Sequence, residues 1–226
     1  MIFNSITKSA RIFHMMVLAI PLLASSCSNL QEPTRKTVLE APAADLAEAY
    51  LFVKTSLPLV SAGARATIHI QGATINKDNV EEYKAKYEKR LALYEEAIKQ
   101  RGFKTISGEY KGEATESCAR SNSILAILHK QQQSGIEITQ DGIDAQFVIK
   151  FKQDDKEMSI KNPAAIAESA VSVLDAMNSD YFFRGVVKDN VIVFKPNLAV
   201  LDTWPKWASP PSRSDLENCT ITLERF

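Results

Sequence analysis

The chain is poor in the residues that most reactions use. It holds three histidines, three cysteines and no excess of either charge, with 27 Lys and Arg against 27 Asp and Glu. Balanced charge, with no basic stripe and no polybasic tract, argues against a nucleic-acid binder. Beyond the first 26 residues no apolar run reaches the about 20 residues that a membrane-spanning helix needs. The two histidines past that point, His69 and His129, are far apart and lack cysteine or carboxylate partners at ligand spacing, which argues against zinc. Gly-x-Ser-x-Gly and Gly-x-Gly-x-x-Gly are absent, and Gly102-Phe103-Lys104-Thr105 lacks the upstream glycine of a phosphate-binding loop. Asp154-Asp155-Lys156-Glu157 lacks the glycine of a calcium loop and reads as a solvated turn. These absences leave no catalytic residue, no metal and no cofactor to name.

What is present begins with a leader. Lys8 and Arg11 supply positive charge, residues 12–23 an apolar core, and Ala24-Ser25-Ser26 small residues before Cys27. The stretch from Leu22 to Cys27 resembles the lipobox of bacterial lipoproteins. The resemblance implies that residues 1–26 are a signal peptide and that Cys27 becomes the acylated first residue. Ordinary signal cleavage, giving a soluble periplasmic product, is the alternative. Cysteine counting favours lipidation, because acylated Cys27 leaves Cys118 and Cys219 as an even pair. Ser28 stands where Asp would retain a lipoprotein at the inner membrane. The resemblance therefore implies lipid anchoring to the outer membrane of a Gram-negative cell, facing the periplasm. Removing the leader takes away two bases and no acid, so 25 basic residues face 27 acidic ones, a formal charge of −2.

Four segments are expected in order: the leader, a flexible tether over 27–42, a helical region over 43–103 and a sheet domain over 104–226. The tether is polar and shows no apolar period. A short helix is predicted over residues 43–54, stopped by Pro58. Ala66, Ile68 and Ile70 alternate with polar residues and suggest a strand, turned back at Gln71-Gly72 along residues 73–75. The clearest element is a long amphipathic helix over 80–101. Val80, Tyr83, Tyr87, Leu91, Tyr94 and Ile98 form one stripe, with Asp78 or Asn79 as cap and Gly102 as αL stop. We weigh packing of this stripe on its own domain above a seam for a partner.

From Lys104 onward short strands dominate. Gly108 and Gly112 read as bends or bulges within the first strand, and residues 121–133 as a short helix between strands. Asp141-Gly142 and Asp189-Asn190 mark two hairpins, and residues 218–226 a last strand. The segment 163–177 is divided. Asn162-Pro163 and the alanines favour a helix, while its strand neighbours favour a strand, and we lean to strand. Cys118 closes the first strand and Cys219 opens the last, so a disulfide would tie the sheet's two ends together. Two buried thiols are the alternative. The fold class is α+β, an N-terminal helical part followed by an antiparallel barrel or barrel-like sheet closed by a disulfide. In architecture the part from Lys104 to Phe226 resembles the small lipocalin-like barrels; Gly108-Glu109-Tyr110 stands where lipocalins carry Gly-x-Trp.

Both tryptophans, Trp204 and Trp207, sit in one Pro-rich loop. They are candidates for ligand contact at a barrel mouth, for seating at a lipid interface, or for a plug at one barrel end. The functional expectation is a non-catalytic envelope lipoprotein, binding a small amphiphile or another envelope protein and no nucleic acid. The alternative is an envelope enzyme whose site converges only in the fold.

Overall fold

The computed structural model describes residues 32–70, 72–121, 135–153, 156–174, 182–198, 201 and 212–226. It shows an α+β architecture, with a helical layer laid against the outside of a closed eight-stranded antiparallel barrel.

The helical layer contains α1 (Arg35–Glu40), α2 (Ala43–Ala62) and α3 (Val80–Arg101), with a two-stranded hairpin, β1 (Ile68–Ile70) and β2 (Ala73–Ile75), between the last two. Residues 35–40, expected within the flexible tether, are therefore helix. Thr34 caps α1 by accepting from the Thr37 N–H at 3.2 Å, Val38 is buried, and Arg35 pairs with Glu96 of α3 at 2.6 Å. With a single buried apolar residue, this helix carries no period that a sequence reading could detect.

Pro58 does not stop α2, which runs on to Ala62. A proline removes one hydrogen bond, here to the carbonyl of Lys54. Side-chain hydroxyls supply donors on either side of it, Thr55 to the Leu51 carbonyl at 2.8 Å and Ser61 to the Leu57 carbonyl at 3.0 Å. Val60, beyond the proline, is fully buried and holds the last turn in place.

In α3 the expected stripe is found. Val80, Tyr87, Tyr94 and Ile98 are buried, Tyr83 and Leu91 half-buried, and all pack within the helical layer. Ion pairs Glu82–Lys86 and Glu95–Lys99, at i,i+4 spacing, form on its wet face. Asn79 precedes the helix without capping it. Its side chain turns back instead, accepting from the Asn76 N–H at 2.9 Å and donating to the Thr74 carbonyl at 3.0 Å. Gly102 ends the helix with φ 81° and ψ 173°, a glycine conformation but not αL.

The barrel strands are β3 (Gly108–Ala114), β4 (Gly135–Asp141), β5 (Asp144–Gln153), β6 (Lys156–Ala167), β7 (Ala170–Leu174), β8 (Phe182–Lys188), β9 (Val191–Pro196) and β10 (Ile221–Arg225). Each pairs antiparallel with the next, and β10 closes the ring by pairing with both β9 and β3. Two more short helices, α4 (Glu116–Ser121) and α5 (Arg213–Glu217), flank the closure.

The divided segment is strand, in β6 and β7. Pro163 is tolerated because β7 pairs with β6 only from Ala164 onward, leaving the proline beside a single neighbour, β5. Alternation then sorts the small residues. Ala164, Ile166, Val171 and Val173 face the barrel interior, while Ala165 and Ala167 lie in the core shared with α2 and α3. Alanines on that outer face let a helix approach the sheet closely, which explains a composition that by itself favours helix.

Two hairpins are present as expected, one with its turn displaced by a residue. Asp189-Asn190 forms the β8–β9 turn, with Asp189 at φ 54°. At the other, Asp141 pairs with Asp144, so the turn residues are Gly142 and Ile143, with Gly142 at φ 61°. Ile143 consequently leaves the strand and joins the helical core, while Ala145, Phe147 and Ile149 line the interior. Gly112 is no bulge. It stays in the β3–β10 ladder opposite Leu223, and a Cβ there would lie 2.6 Å from the Ile136 side chain. The helix read over 121–133 lies outside the described residues from 122 on.

Candidate functional site

Following strand direction around the ring separates the two barrel ends. At one end the connections are tight: Gly142-Ile143, Glu168-Ser169 and Asp189-Asn190. At the other leave and return all the long ones, residues 115–134, 175–181 and 197–220, together with 154–155. Trp204 and Trp207 belong to the third of these and lie outside the described residues, as does Cys27.

The tight-turn end is sealed. Residues 103–107 cross it between α3 and β3. Gln140 accepts from the Ile106 N–H at 2.7 Å and donates to the carbonyls of Lys104 and Gly142 at 3.1 and 2.8 Å. Tyr110 donates its hydroxyl hydrogen to the Ile106 carbonyl at 2.9 Å, and Ile106 is 1% exposed. Burial pushes the Tyr110 phenol up from its ordinary value, so it stays a neutral donor. The Arg225 side chain passes over Gly108, where a Cβ would lie 2.8 Å from its Nε.

The loop-bearing end is where the ring is fastened. Cys118 and Cys219 form the expected disulfide, 101 residues apart in sequence with Cα atoms 4.5 Å apart. The Thr115 N–H donates to the Thr220 carbonyl at 3.0 Å, and the Thr115 hydroxyl accepts from the Thr220 N–H at 3.1 Å. Leu216 of α5 is buried with the two cysteines in the interior core.

Between the ends the interior is apolar. Phe147 and Phe194 meet edge to face at 5.7 Å within a cluster of buried apolar side chains, against which Ile160, Leu198 and Leu201 pack partly buried. Asn162 is the polar exception among described residues: it is buried, stands opposite Phe147 in the ladder and shares the interior side of β6 with Ala164 and Ile166. Gly185 admits the Phe194 ring, which a Cβ would strike. Side chains of the described strands thus pack against one another inside the ring, as they can in an eight-stranded barrel.

The buried charges lie outside the barrel. Glu48 of α2 is 1% exposed and accepts from Arg184 Nε of β8 at 2.7 Å and from Asn197 Nδ2 at 2.8 Å, while Asp45 meets Arg184 Nη1 at 2.8 Å. Burial raises the Glu48 carboxyl above its ordinary value, with Arg184 acting the other way. Lys54, Tyr50 and Asp144 form a second group, with Tyr50 buried and the two charges partly exposed, in which Lys54 bonds Asp144 and Tyr50 donates to Asp144 at 3.1 Å. Both groups fasten α2 to the barrel, and neither places a nucleophile beside a base. No set of three His, Cys, Asp or Glu suited to a metal occurs among the described residues. Of the histidines described, His69 is exposed and bonds Thr74 within its own hairpin at 3.1 Å. None of the described helices is long and apolar enough to cross a membrane.

Of the residues singled out in the sequence, the structure therefore joins Cys118 to Cys219. The charged groups that join helix and barrel were not foreseen, because Glu48 and Arg184 are 136 residues apart and neither sits in a motif. Comparison with protein-family models, with curated proteins and with solved structures finds no match.

Proposed function

We propose that this protein is a non-catalytic envelope lipoprotein, acylated at Cys27 and held on the periplasmic side of the outer membrane. It engages another envelope protein through the loop-bearing end of its barrel. The observation that carries this reading is the asymmetry of the two ends. Every long connection, including the one with both tryptophans, leaves from the end where the disulfide fastens the ring, while the opposite end is sealed by residues 103–107. A rigid barrel presenting loops on one rim is a common way to build a recognition surface. The apolar packing among the described strands supports a partner at the rim rather than a small amphiphile held within.

The test has two arms. Intact-mass measurement of the exported protein should show an acylated chain beginning at Cys27. Photo-crosslinkers placed at positions 204 and 207 in cells should capture a discrete protein, and Trp204→Ala with Trp207→Ala should abolish its association while the barrel stays folded. Capture of a small amphiphile alone, or an association indifferent to both substitutions, would overturn the reading.

A further inference from the structure

A closed ring gives each strand two neighbours, but β6 outruns the ring. Its residues from Lys156 to Ala165 all pair with β5, while β7 joins it only from Ala164 onward. On the far side of β5 the ladder with β4 reaches no further than Ile149. The β5–β6 hairpin therefore projects past the loop-bearing rim as a two-stranded ribbon. Among the described residues, the side of β6 away from β5 is open over residues 156–163.

Two residues fix which backbone groups face that open side. The Ile166 N–H donates to the Ile143 carbonyl at 3.0 Å, on the β5 side. Backbone groups alternate along an antiparallel strand, so even-numbered residues of β6 address β5 and odd-numbered ones face away. Pro163, with no N–H to give, fits that alternation. Glu157, Ser159 and Lys161 thus hold N–H and C=O groups outward, with no described strand beside them. Such a row is a template for another strand.

Side chains alternate too. Met158 and Ile160 share the face of Asn162 and Ala164, which continues the barrel interior. Met158 is 47% exposed, and Ile160 is half-buried. Glu157, Ser159 and Lys161 are exposed on the opposite face. About a twofold axis at Ser159 this sequence complements itself. Antiparallel pairing sets Glu157 opposite Lys161 of a second copy and Met158 opposite Ile160 of that copy, each twice over. Opposite charges and apolar side chains directly across a ladder both favour that register. Residues 157, 159 and 161, whose groups face outward, fall in the hydrogen-bonded pairs and would exchange about six bonds.

We propose that β6 pairs with β6 of a second copy over residues 157–161, in an isologous contact that joins two barrels through one continuous sheet. The contact is separate from the rim partner proposed above and rests on neither export nor acylation.

The full chain with Cys27→Ser, which carries neither an acyl group nor a third thiol, is purified as the cell processes it. Sedimentation equilibrium should show monomer and dimer in exchange. Glu157→Lys and Lys161→Glu should each weaken the dimer about tenfold, because each sets like charges opposite one another twice, and the two together should restore it. Ser159→Pro, which loses only an outward N–H, should abolish it. Ser159→Cys would lie about 5.5 Å from its own copy between Cα atoms and should form an intermolecular disulfide under mild oxidation. Lys161→Cys, about 13 Å from its own copy, should not. A chain that stays monomeric at every concentration, a dimer that both charge reversals leave unchanged, or linking of Lys161→Cys as readily as Ser159→Cys overturns the proposal. The reversals change exposed side chains only, so they read the contact whether or not the proline variant folds. Failure of the rim reading at the two tryptophans would leave these results untouched.

Discussion

Gly185 and Glu48 show how much a single position decides. At Gly185 a methyl group would enter the space of the Phe194 ring, inside a ladder where neither strand can step aside. Gly185→Ala should therefore destabilise the protein by about 1–3 kcal/mol, the usual range for overpacking a core. Urea unfolding with the disulfide intact would measure it, and an unchanged midpoint would refute the account. Glu48 makes a pH-dependent prediction. Its carboxyl is raised in the folded state above the ordinary value of 4.5, chiefly by burial. Its folded state holds the proton more tightly than the unfolded chain, so stability from this group is complete below 4.5 and declines as pH climbs through the folded value. Glu48→Gln removes that slope. The stability of the parent relative to Glu48→Gln should therefore fall as pH rises from 4.5 into that window. Equal slopes for the two proteins would contradict it.

Elements were legible where period and turn chemistry agreed. The α3 stripe, the Asp189-Asn190 hairpin and the alternation of β5 all follow from residue spacing. They were not legible where a local rule was overridden from a distance. Pro58 marks a helix end in isolation, yet burial of Val60 carries α2 past it. Pro58 itself is exposed, so Pro58→Ala should give up no packing and restore a donor to the Lys54 carbonyl. We expect it to stabilise the protein by about 1 kcal/mol or more, since proline within a helix costs about 3. A loss of stability would contradict this account.

At the scale of the whole molecule, a barrel or barrel-like sheet and its bridge were foreseen from the run of short strands and the placing of the two cysteines, while full closure of the ring is what the structure adds. Which layer would cover the ring was not foreseen. The answer lies in Ala165, Ala167 and Ile143, which read as ordinary strand and turn residues until α2 and α3 are set against them. The bridge spans 101 residues, and the chain-entropy account credits a loop of about that size with up to about 4.7 kcal/mol. Replacing both Cys118 and Cys219 with alanine should lower stability by about 2–5 kcal/mol in denaturant unfolding. A variant as stable as the parent would show that the β3–β10 ladder and the α4–α5 contact suffice to fasten the ring.

Because β10 is the last strand of the ring in chain order and pairs on both sides, the barrel cannot close during synthesis until residues 221–225 have emerged. Before then β3 and β9 each present an unpaired edge, the form of a sheet most open to joining another copy. A chain cut short before Ile221 would therefore keep every turn and helix described above and still be left with two sticky margins, a fault of ordering in time rather than of missing contacts.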